Sequence, residues 1–315
     1  MSVADTASGI SGRTADAVRA AGLDPAEVHG WVRAALAEDL RYGPDVTTQA
    51  TVPADAVAEA RITPRRPGVL AGVPVALAVF DLAFATAPGD GPGTAAGGYQ
   101  VLAAAEDGTA LTAGRPAVLL RGPVRGLLTA ERTALNFLCH LSGIATTTAG
   151  WVRAVAGTGA VVRDSRKTLP GLRVLEKYAV RCGGAANHRM GLGDSVLIKD
   201  NHIEAAGSVT AALAAVAAHA PGLHCEVEVD DLSQLAEALA AGAAEVLLDN
   251  FAPEQCAQAV RLARETGAAA RLEASGGLTL ENAHAYAATG VNYLAVGALT
   301  HSAPYLDIGL DLTAG

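Results

Sequence analysis

Lysine is nearly missing from this chain. Among 315 residues there are 20 arginines but only three lysines, Lys167, Lys177 and Lys199, all within one 33-residue stretch. Aromatic residues make up 4%, which leaves few platforms on which single-stranded nucleic acid could stack. Acidic residues outnumber basic ones by 32 to 23, for a net charge of -9, and that excludes a general nucleic-acid binder with a basic face. The four cysteines, Cys139, Cys182, Cys225 and Cys256, are far apart and form no CxxC. They are expected as reduced thiols of a cytoplasmic protein, not as a disulfide or zinc framework. No window approaches 18 uninterrupted apolar residues, so no membrane span is expected. The opening MSVADTASGISGRTADAVRAAG lacks the apolar core of a secretory signal.

Half the residues are hydrophobic and 17% are charged, a balance that builds a large core and excludes wholesale disorder. The length suits two domains, or one barrel with an appendage. Residues 1–24 read as a weakly ordered lead-in, followed by a helix that begins at the Asp24–Pro25 cap. The runs VAEARI, GVLAGV, YQVLAA and RPAVLLRG predict an antiparallel sheet with helical cover. Between them, TAPGDGPGTAAGGY over 86–99 is a loop by composition. A long helix is predicted over 129–156.

The second half changes rhythm. AVVRDSRK, SVLIKDN, HCEVEVD, EVLLDNF, ARLEASGG and NYLAVGALTH alternate with helical stretches at 204–219, 231–241, 253–267 and 279–289. Such alternation predicts βαβ units on a parallel sheet. Each strand run ends in chemistry: Arg166 and Lys167, Lys199, Glu228, Asp249, Ser275 with Gly276 and Gly277, then Gly297. Six loaded strand ends in succession favour a β/α barrel, whose reacting groups gather at the C-terminal mouth, over an open sheet with a single switch point.

Residues 163–189 form a basic island. Arg163, Arg166, Lys167, Arg173, Lys177, Arg181 and Arg189 face only Asp164 and Glu176 there, a local charge of +5 inside an acidic protein. This sign focuses anions into a cleft. Arg173, Lys177 and Arg181 also fit a solvated helix face, whereas Arg166, Lys167 and Arg189 sit beside Gly/Pro-rich turns and read as functional. Arginine suits bidentate carboxylate recognition and lysine acts as a point charge for phosphate. His188 joins them through its neighbour Arg189.

Glu228 and Asp249, at successive strand ends, suit a hard cation such as Mg²⁺ held together with substrate phosphates. Glu226 shares a strand face with Glu228, and the residues alone do not decide between them. The loops EASGGL and AVGALTH, including Val296, Gly297 and Ala298, resemble the phosphate sites that follow the last two strands of barrels. No GxGxxG follows a strand and no GxxxxGK[ST] is present, so Rossmann and P-loop readings lack support. On its own, Arg132 reads as a structural helix residue beside Glu131.

At this point the motifs become specific. DSRKTLPGLRVLEKYAVRCGGAANHRMGLGDSVLIKDNH, with ERTALNFLCHLSGIAT, EVEVDDL, LLDNF, LEASGGL and GVNYLAVGALTHS, closely resembles the quinolinate phosphoribosyltransferase family. The resemblance runs in order from EDLRYGPDVTT at Glu38 to the last strand. It implies transfer of phosphoribose from phosphoribosyl pyrophosphate to quinolinate, with release of pyrophosphate and CO₂, in de novo NAD biosynthesis.

The fold it implies is an N-terminal α/β sandwich plus an incomplete, seven-stranded β/α barrel. The expected domains are 1–134, with 303–315 returning to it, and 135–302. By the same resemblance, Arg132, Arg166, His188, Arg189 and Lys199 bind quinolinate, with Arg132 reaching across a homodimer. Lys167, Glu228, Asp249, Ser275–Gly277 and Val296–Ala298 serve phosphoribosyl pyrophosphate and Mg²⁺, and no organic cofactor is implied. Ser165, placed with the substrate-binding residues, stands where the family commonly has Thr, which preserves a hydroxyl, and Ala185 stands where a third Gly is common. If position 185 needs a positive φ, Ala costs on the order of 1 kcal/mol.

Three rivals remain at the level of sequence. A Schiff-base aldolase would use Lys167 or Lys199 but leaves the arginines and the Glu228/Asp249 pair without a purpose. A molybdenum-utilisation relative would have altered ligand residues, against the intact RK, HR and K set. A non-catalytic relative would bind phosphoribosyl pyrophosphate without turnover.

Overall fold

The computed structural model describes residues 9–86 and 98–314; the expected 86–99 loop lies almost wholly outside that range. The chain divides into two compact units. The first comprises residues 1–146, 174–183 and 303–315, and the second residues 147–173 and 184–302. Segments 135–146 and 174–183 thus group with the first unit.

The first unit opens with α1 (Gly12–Ala20), a helix where a weakly ordered lead-in was expected. Ser11 caps it by accepting from the Thr14 N–H, and Thr14, Ala15 and Val18 are buried, so a capped apolar stripe outweighs the polar composition. Asp24 caps α2 (Pro25–Asp39) in the same way, with Val28, Val32 and Leu36 inward. After α3 (Val46–Thr51) comes β1 (Val57–Pro64), then the two-residue β2 (Gly68–Val69) and α4 (Val73–Thr86).

GVLAGV therefore supplies no strand to the main sheet. Gly72, at φ 102, turns the chain directly into α4. From Val73 to Phe80 every residue of α4 is buried, and the helix packs on α1 and α2. Next come β3 (Gln100–Ala104), β4 (Ala110–Leu111), β5 (Val118–Pro123) and the long α5 (Val124–Ala154). The main sheet is antiparallel with strand order β12-β1-β5-β3, where β12 (Ile308–Ala314) is the C-terminal strand.

The second unit holds β6 (Val161–Arg163), β7 (Val196–Ile198), α7 (Asp200–Ala206), α8 (Val209–His219), β8 (Cys225–Val229), α9 (Leu232–Ala240), β9 (Glu245–Asp249), α10 (Pro253–Glu265), β10 (Arg271–Ser275), α11 (Ala283–Ala287), β11 (Tyr293–Ala295) and α12 (Ala298–His301). Its sheet is parallel, in the order β6-β11-β10-β9-β8-β7.

This corrects the expectation of seven strands. Among the described residues there are six, and the seventh position shrinks to a single bridge from Ala186 to Arg163. The positive-φ turn at Gly184, two residues before Ala186, leaves little length for a strand there. Ala185 keeps a negative φ while Gly184 takes the turn at φ 90, so the Gly-to-Ala departure carries no backbone strain.

The parallel sheet is rolled. In a flat sheet, five steps of about 4.8 Å would separate the Ala186 bridge from β8 by roughly 24 Å. Instead His188 Nε2 lies 2.7 Å from Glu226 Oε2 on β8. Rolling sends alternate side chains inward in rows. The strand register sets Glu226 beside Glu245 and Arg271, then Glu228 beside Leu247, Glu273 and Tyr293, then Asp249 beside Ser275 and Ala295.

The intervening helix α6 (Arg173–Cys182) belongs to the first unit except for Arg173. It is not the solvated face expected for its cations. Lys177 and Glu176 are fully buried and only Arg181 is exposed. Glu176 Oε1 is hydrogen-bonded to His140 Nε2 at 2.9 Å.

Candidate active site

The second unit contains a cavity of about 620 Å³ at the C-terminal ends of its strands. The loop after β6 contributes Ser165, Arg166 and Lys167. Ser165 Oγ accepts from the Lys167 N–H at 3.1 Å, and Thr300 Oγ1 donates to the Lys167 carbonyl at 2.8 Å, so the loop is pinned at both ends. The segment after the Ala186 bridge contributes His188 and Arg189, and the end of β7 contributes Lys199. Lys199 forms an ion pair with Glu228, whose Oε2 accepts from its Nζ.

Glu228 and Asp249 both line the cavity. Glu226 does not; it is 1% exposed and bound to His188 one row below. Strand alternation, which left the pair undecided in sequence, resolves by depth. Asn250 fixes Asp249, its Nδ2 donating to Oδ2 at 2.7 Å. Asn250 sits in the left-handed region at φ 56, a conformation Asn tolerates better than most residues. Its N–H donates to the Ser275 carbonyl at 2.8 Å.

The two glycine loops after β10 and β11 complete the wall with Ser275, Gly276, Gly277, Val296, Gly297 and Ala298. Two of these glycines, Gly276 and Gly297, leave little room for a side chain. A Cβ on Gly276 would sit 2.1 Å from Asn250 Oδ1, and one on Gly297 would press on Lys167 Cδ at 3.0 Å and Ser165 Oγ at 3.2 Å.

Electrostatically the cavity demands an anion. Arg166 and Arg189 each keep a buried Nε with no hydrogen-bond partner. Burial, reinforced by the like charge of Arg166, pulls the Arg189 pKa below its ordinary value, as expected for a desolvated cation short of counter-charge. Buried donors without partners cost free energy until a ligand satisfies them.

Beneath the cavity lies a buried ionic cluster. Arg163 Nη1 donates to Glu245 Oε1 at 2.5 Å and to Glu273 Oε2 at 2.8 Å, with its guanidinium 3.3 Å from the Tyr293 ring centroid. Burial and then the charge of Glu226 push Glu273 up to about 8; burial and then Glu245 push Glu226 up to about 7. For Glu245, burial opposes ionisation but the bond from Arg163 prevails, and its pKa falls.

Of the fifteen residues expected at the site, fourteen line this one cavity. Arg132 is not among its lining residues; it lies exposed on the part of α5 that belongs to the first unit. Sequence reasoning missed Asn250, Glu273 and His301, which also line the cavity. Each stood inside or beside a quoted motif, and strand alternation from Ser275 back to Glu273 could have found the second.

Fold and site together define a class: an α/β enzyme that gathers anion-binding groups at the C-terminal ends of parallel strands. Comparison with known proteins narrows it. The model of the quinolinate phosphoribosyl transferase C-terminal domain matches residues 144–311, and that of the N-terminal domain matches residues 45–142. The chain belongs to the quinolinate phosphoribosyl transferase family.

It is 58% identical over 281 residues to the carboxylating nicotinate-nucleotide pyrophosphorylase of Mycobacterium leprae, covering 89% of this chain and 95% of that protein. The human protein of the same name is 37% identical over 295 residues, covering 93% and 94%. NadC from Streptococcus pyogenes superposes with a TM-score of 0.83 at 40% identity, over 92% of this chain and 98% of that one.

Proposed function

We infer that this chain is a carboxylating nicotinate-nucleotide pyrophosphorylase, converting quinolinate and phosphoribosyl pyrophosphate to nicotinate mononucleotide, CO₂ and pyrophosphate. The observation that carries the reading is the cavity's division of labour. Two arginines with buried, unsatisfied donors enter after β6 and after the Ala186 bridge, the glycine loops enter after β10 and β11, and Lys167 reaches across from the β6 loop to lie against Gly297. The first arrangement suits a dicarboxylate and the second a phosphate. The names carried by the M. leprae and human relatives support the same reaction.

Arg166, Arg189 and Lys199 would take the quinolinate carboxylates, with Arg132 supplied by the second copy of a cytoplasmic homodimer. The exposure of Arg132, away from its own chain's cavity lining, is compatible with that role. Lys167, Ser275–Gly277 and Val296–Ala298 would hold the phosphoribosyl pyrophosphate groups.

Glu228 and Asp249 are hard oxygen donors on neighbouring strands at the cavity wall, a donor set that fits Mg²⁺. Bound there with the substrate, Mg²⁺ supplies neutralising charge for the pyrophosphate. Lys167 offers its ammonium to the departing pyrophosphate oxygens, while the two carboxylates face the positive charge that develops on the ribose. Attack by the pyridine nitrogen makes the ring cationic. The adjacent carboxylate then leaves as CO₂, and its electron pair stays on the ring carbon beside that charge until a proton arrives. No organic cofactor is needed for this step, only orientation and exclusion of water.

The test is incubation with quinolinate, phosphoribosyl pyrophosphate and Mg²⁺, following CO₂ and nicotinate mononucleotide. Product from quinolinate is expected. Product from nicotinate but none from quinolinate would overturn the dicarboxylate assignment.

A further inference from the structure

His188 lines the cavity, yet both of its ring nitrogens are engaged by the protein. The Arg189 N–H donates to Nδ1 at 2.8 Å, so Nδ1 carries the lone pair. Nε2 must then carry the proton, and it faces Glu226 Oε2 at 2.7 Å with Glu273 Oε1 at 3.7 Å. The backbone is held as firmly. Asp164, fully buried, accepts the His188 N–H at 2.8 Å through Oδ1 and the Asn187 amide at 2.5 Å through Oδ2. Of the two carboxylates that face the ring, Glu273 is itself held by Arg163, and Arg163 by Glu245 and the face of Tyr293.

We propose that Glu226, backed by the Arg163–Glu273 pair, is a positioning residue that locks His188 as the neutral Nε2–H tautomer, and that His188 serves to fix Arg189 and not to donate a hydrogen bond to substrate. The proposal deepens the reading of the cavity as a quinolinate site and rests on it for its kinetic arm. The chemistry is economical. A ring whose Nδ1 accepts the next residue's N–H restrains the backbone from which the Arg189 guanidinium is aimed, and that guanidinium donates to the Ser195 carbonyl at 3.2 Å while its Nε waits unpaired. A carboxylate that accepts from one ring nitrogen fixes a histidine's tautomer and ring orientation, as it does for metal-bound histidines.

Glu226 does not line the cavity; it reaches the wall through its hydrogen bond to His188 and through its charge on Glu273. Because the Ala and Gln variants both remove the charge, a difference between them reports the hydrogen bond. Glu226→Ala removes the acceptor. It is expected to raise the KM for quinolinate about tenfold or more, with the KM for phosphoribosyl pyrophosphate within about twofold, the size of effect usual for removing a group that orients a ligand. Glu226→Gln keeps an oxygen that can accept from Nε2–H and is expected to restore the quinolinate KM to within about threefold, since the hydrogen bond and not the charge does the positioning.

The readout independent of activity is ¹⁵N NMR of the wild-type histidines, with His188 assigned by the loss of its resonances in His188→Gln. Unprotonated Nδ1 and protonated Nε2 are expected. A doubly protonated ring, or the Nδ1–H tautomer, overturns the proposal even if the enzyme turns over quinolinate. An unchanged quinolinate KM in Glu226→Ala, or an equal rise in both KM values, overturns it as well. Should Glu226→Ala fail to fold, the Gln variant and the wild-type spectrum decide. An expected tautomer in a protein that does not turn over quinolinate would sink the functional reading alone.

Discussion

The two sheets of this protein solve burial in opposite ways. In the antiparallel sheet of the first unit, β1 alternates: Ala58, Ala60 and Ile62 are buried while Val57 and Arg61 face outward. Its partner β5 buries Val118 and Leu120 in the same rhythm. Apart from Thr63 near the end of β1, what this sheet buries is apolar. In the parallel sheet, β9 is buried through its first four residues and Glu273 lies in the middle of a buried run. One face of that sheet is apolar, with Val246, Leu248, Leu272 and Ala274. The rolled inner face is buried and ionisable, with Glu226, Glu245 and Glu273 around Arg163. Burying charge is costly unless it is paired and hydrogen-bonded, so an inner face of this composition is explained by what it positions above it.

The contrast can be broken at three places, in falling order of effect. Lys167→Ala acts at the mouth of the parallel sheet and should lower turnover at least ~100-fold, the range for losing one group aimed at transition-state charge. Thermal unfolding should be unmoved, because the side chain is at the cavity and not in the core. Wild-type turnover in that variant would remove Lys167 from the mechanism.

Phe80→Ala acts in the first unit, where Phe80 on α4 is fully buried. It should cost about 3–5 kcal/mol of unfolding free energy in denaturant titration, with KM values unchanged while the protein is folded. A shift in KM with little loss of stability would mean that the apolar core is not merely structural.

The third place is the ionic floor itself. Burial, then Glu226, raises Glu273 from its ordinary 4.5 to about 8. The folded state therefore holds a proton that the unfolded chain releases above about 4.5, and stability falls as pH rises from there toward 8. Glu273→Gln removes this titration, so its melting temperature should decline less between pH 5 and 8 than that of the wild type. Equal slopes would mean that Glu273 ionises as freely folded as unfolded.

Much of this was legible in advance, for identifiable reasons. Parallel strands capped by polar residues announce themselves because apolar runs and helical stretches alternate at fixed spacing, and all six runs became strands. GVLAGV misled in part: Gly68 and Val69 do pair, as β2 with β4, but Gly72 ends the run and turns the chain into α4. Lys177 misled because its neighbours are charged, which suggests solvent, yet the segment 174–183 is taken into the first unit and the lysine is buried with it. Asn250 and Glu273 were passed over because their importance lies in contacts made across strands.

The three lysines mark the boundary between the two kinds of knowledge. Sequence by itself determined the alternation of elements, the family, and the fact that Lys167 and Lys199 fall at strand ends, since these depend on local order along the chain. Which face of β8 reaches the cavity, that Glu226 lies below Glu228, and that a seventh strand dwindles to the Ala186 bridge were decided only when the sheet rolled. Rolling brings together side chains that are far apart in sequence. Burial, charge pairing and tautomer are properties of that meeting, and no single segment carries them.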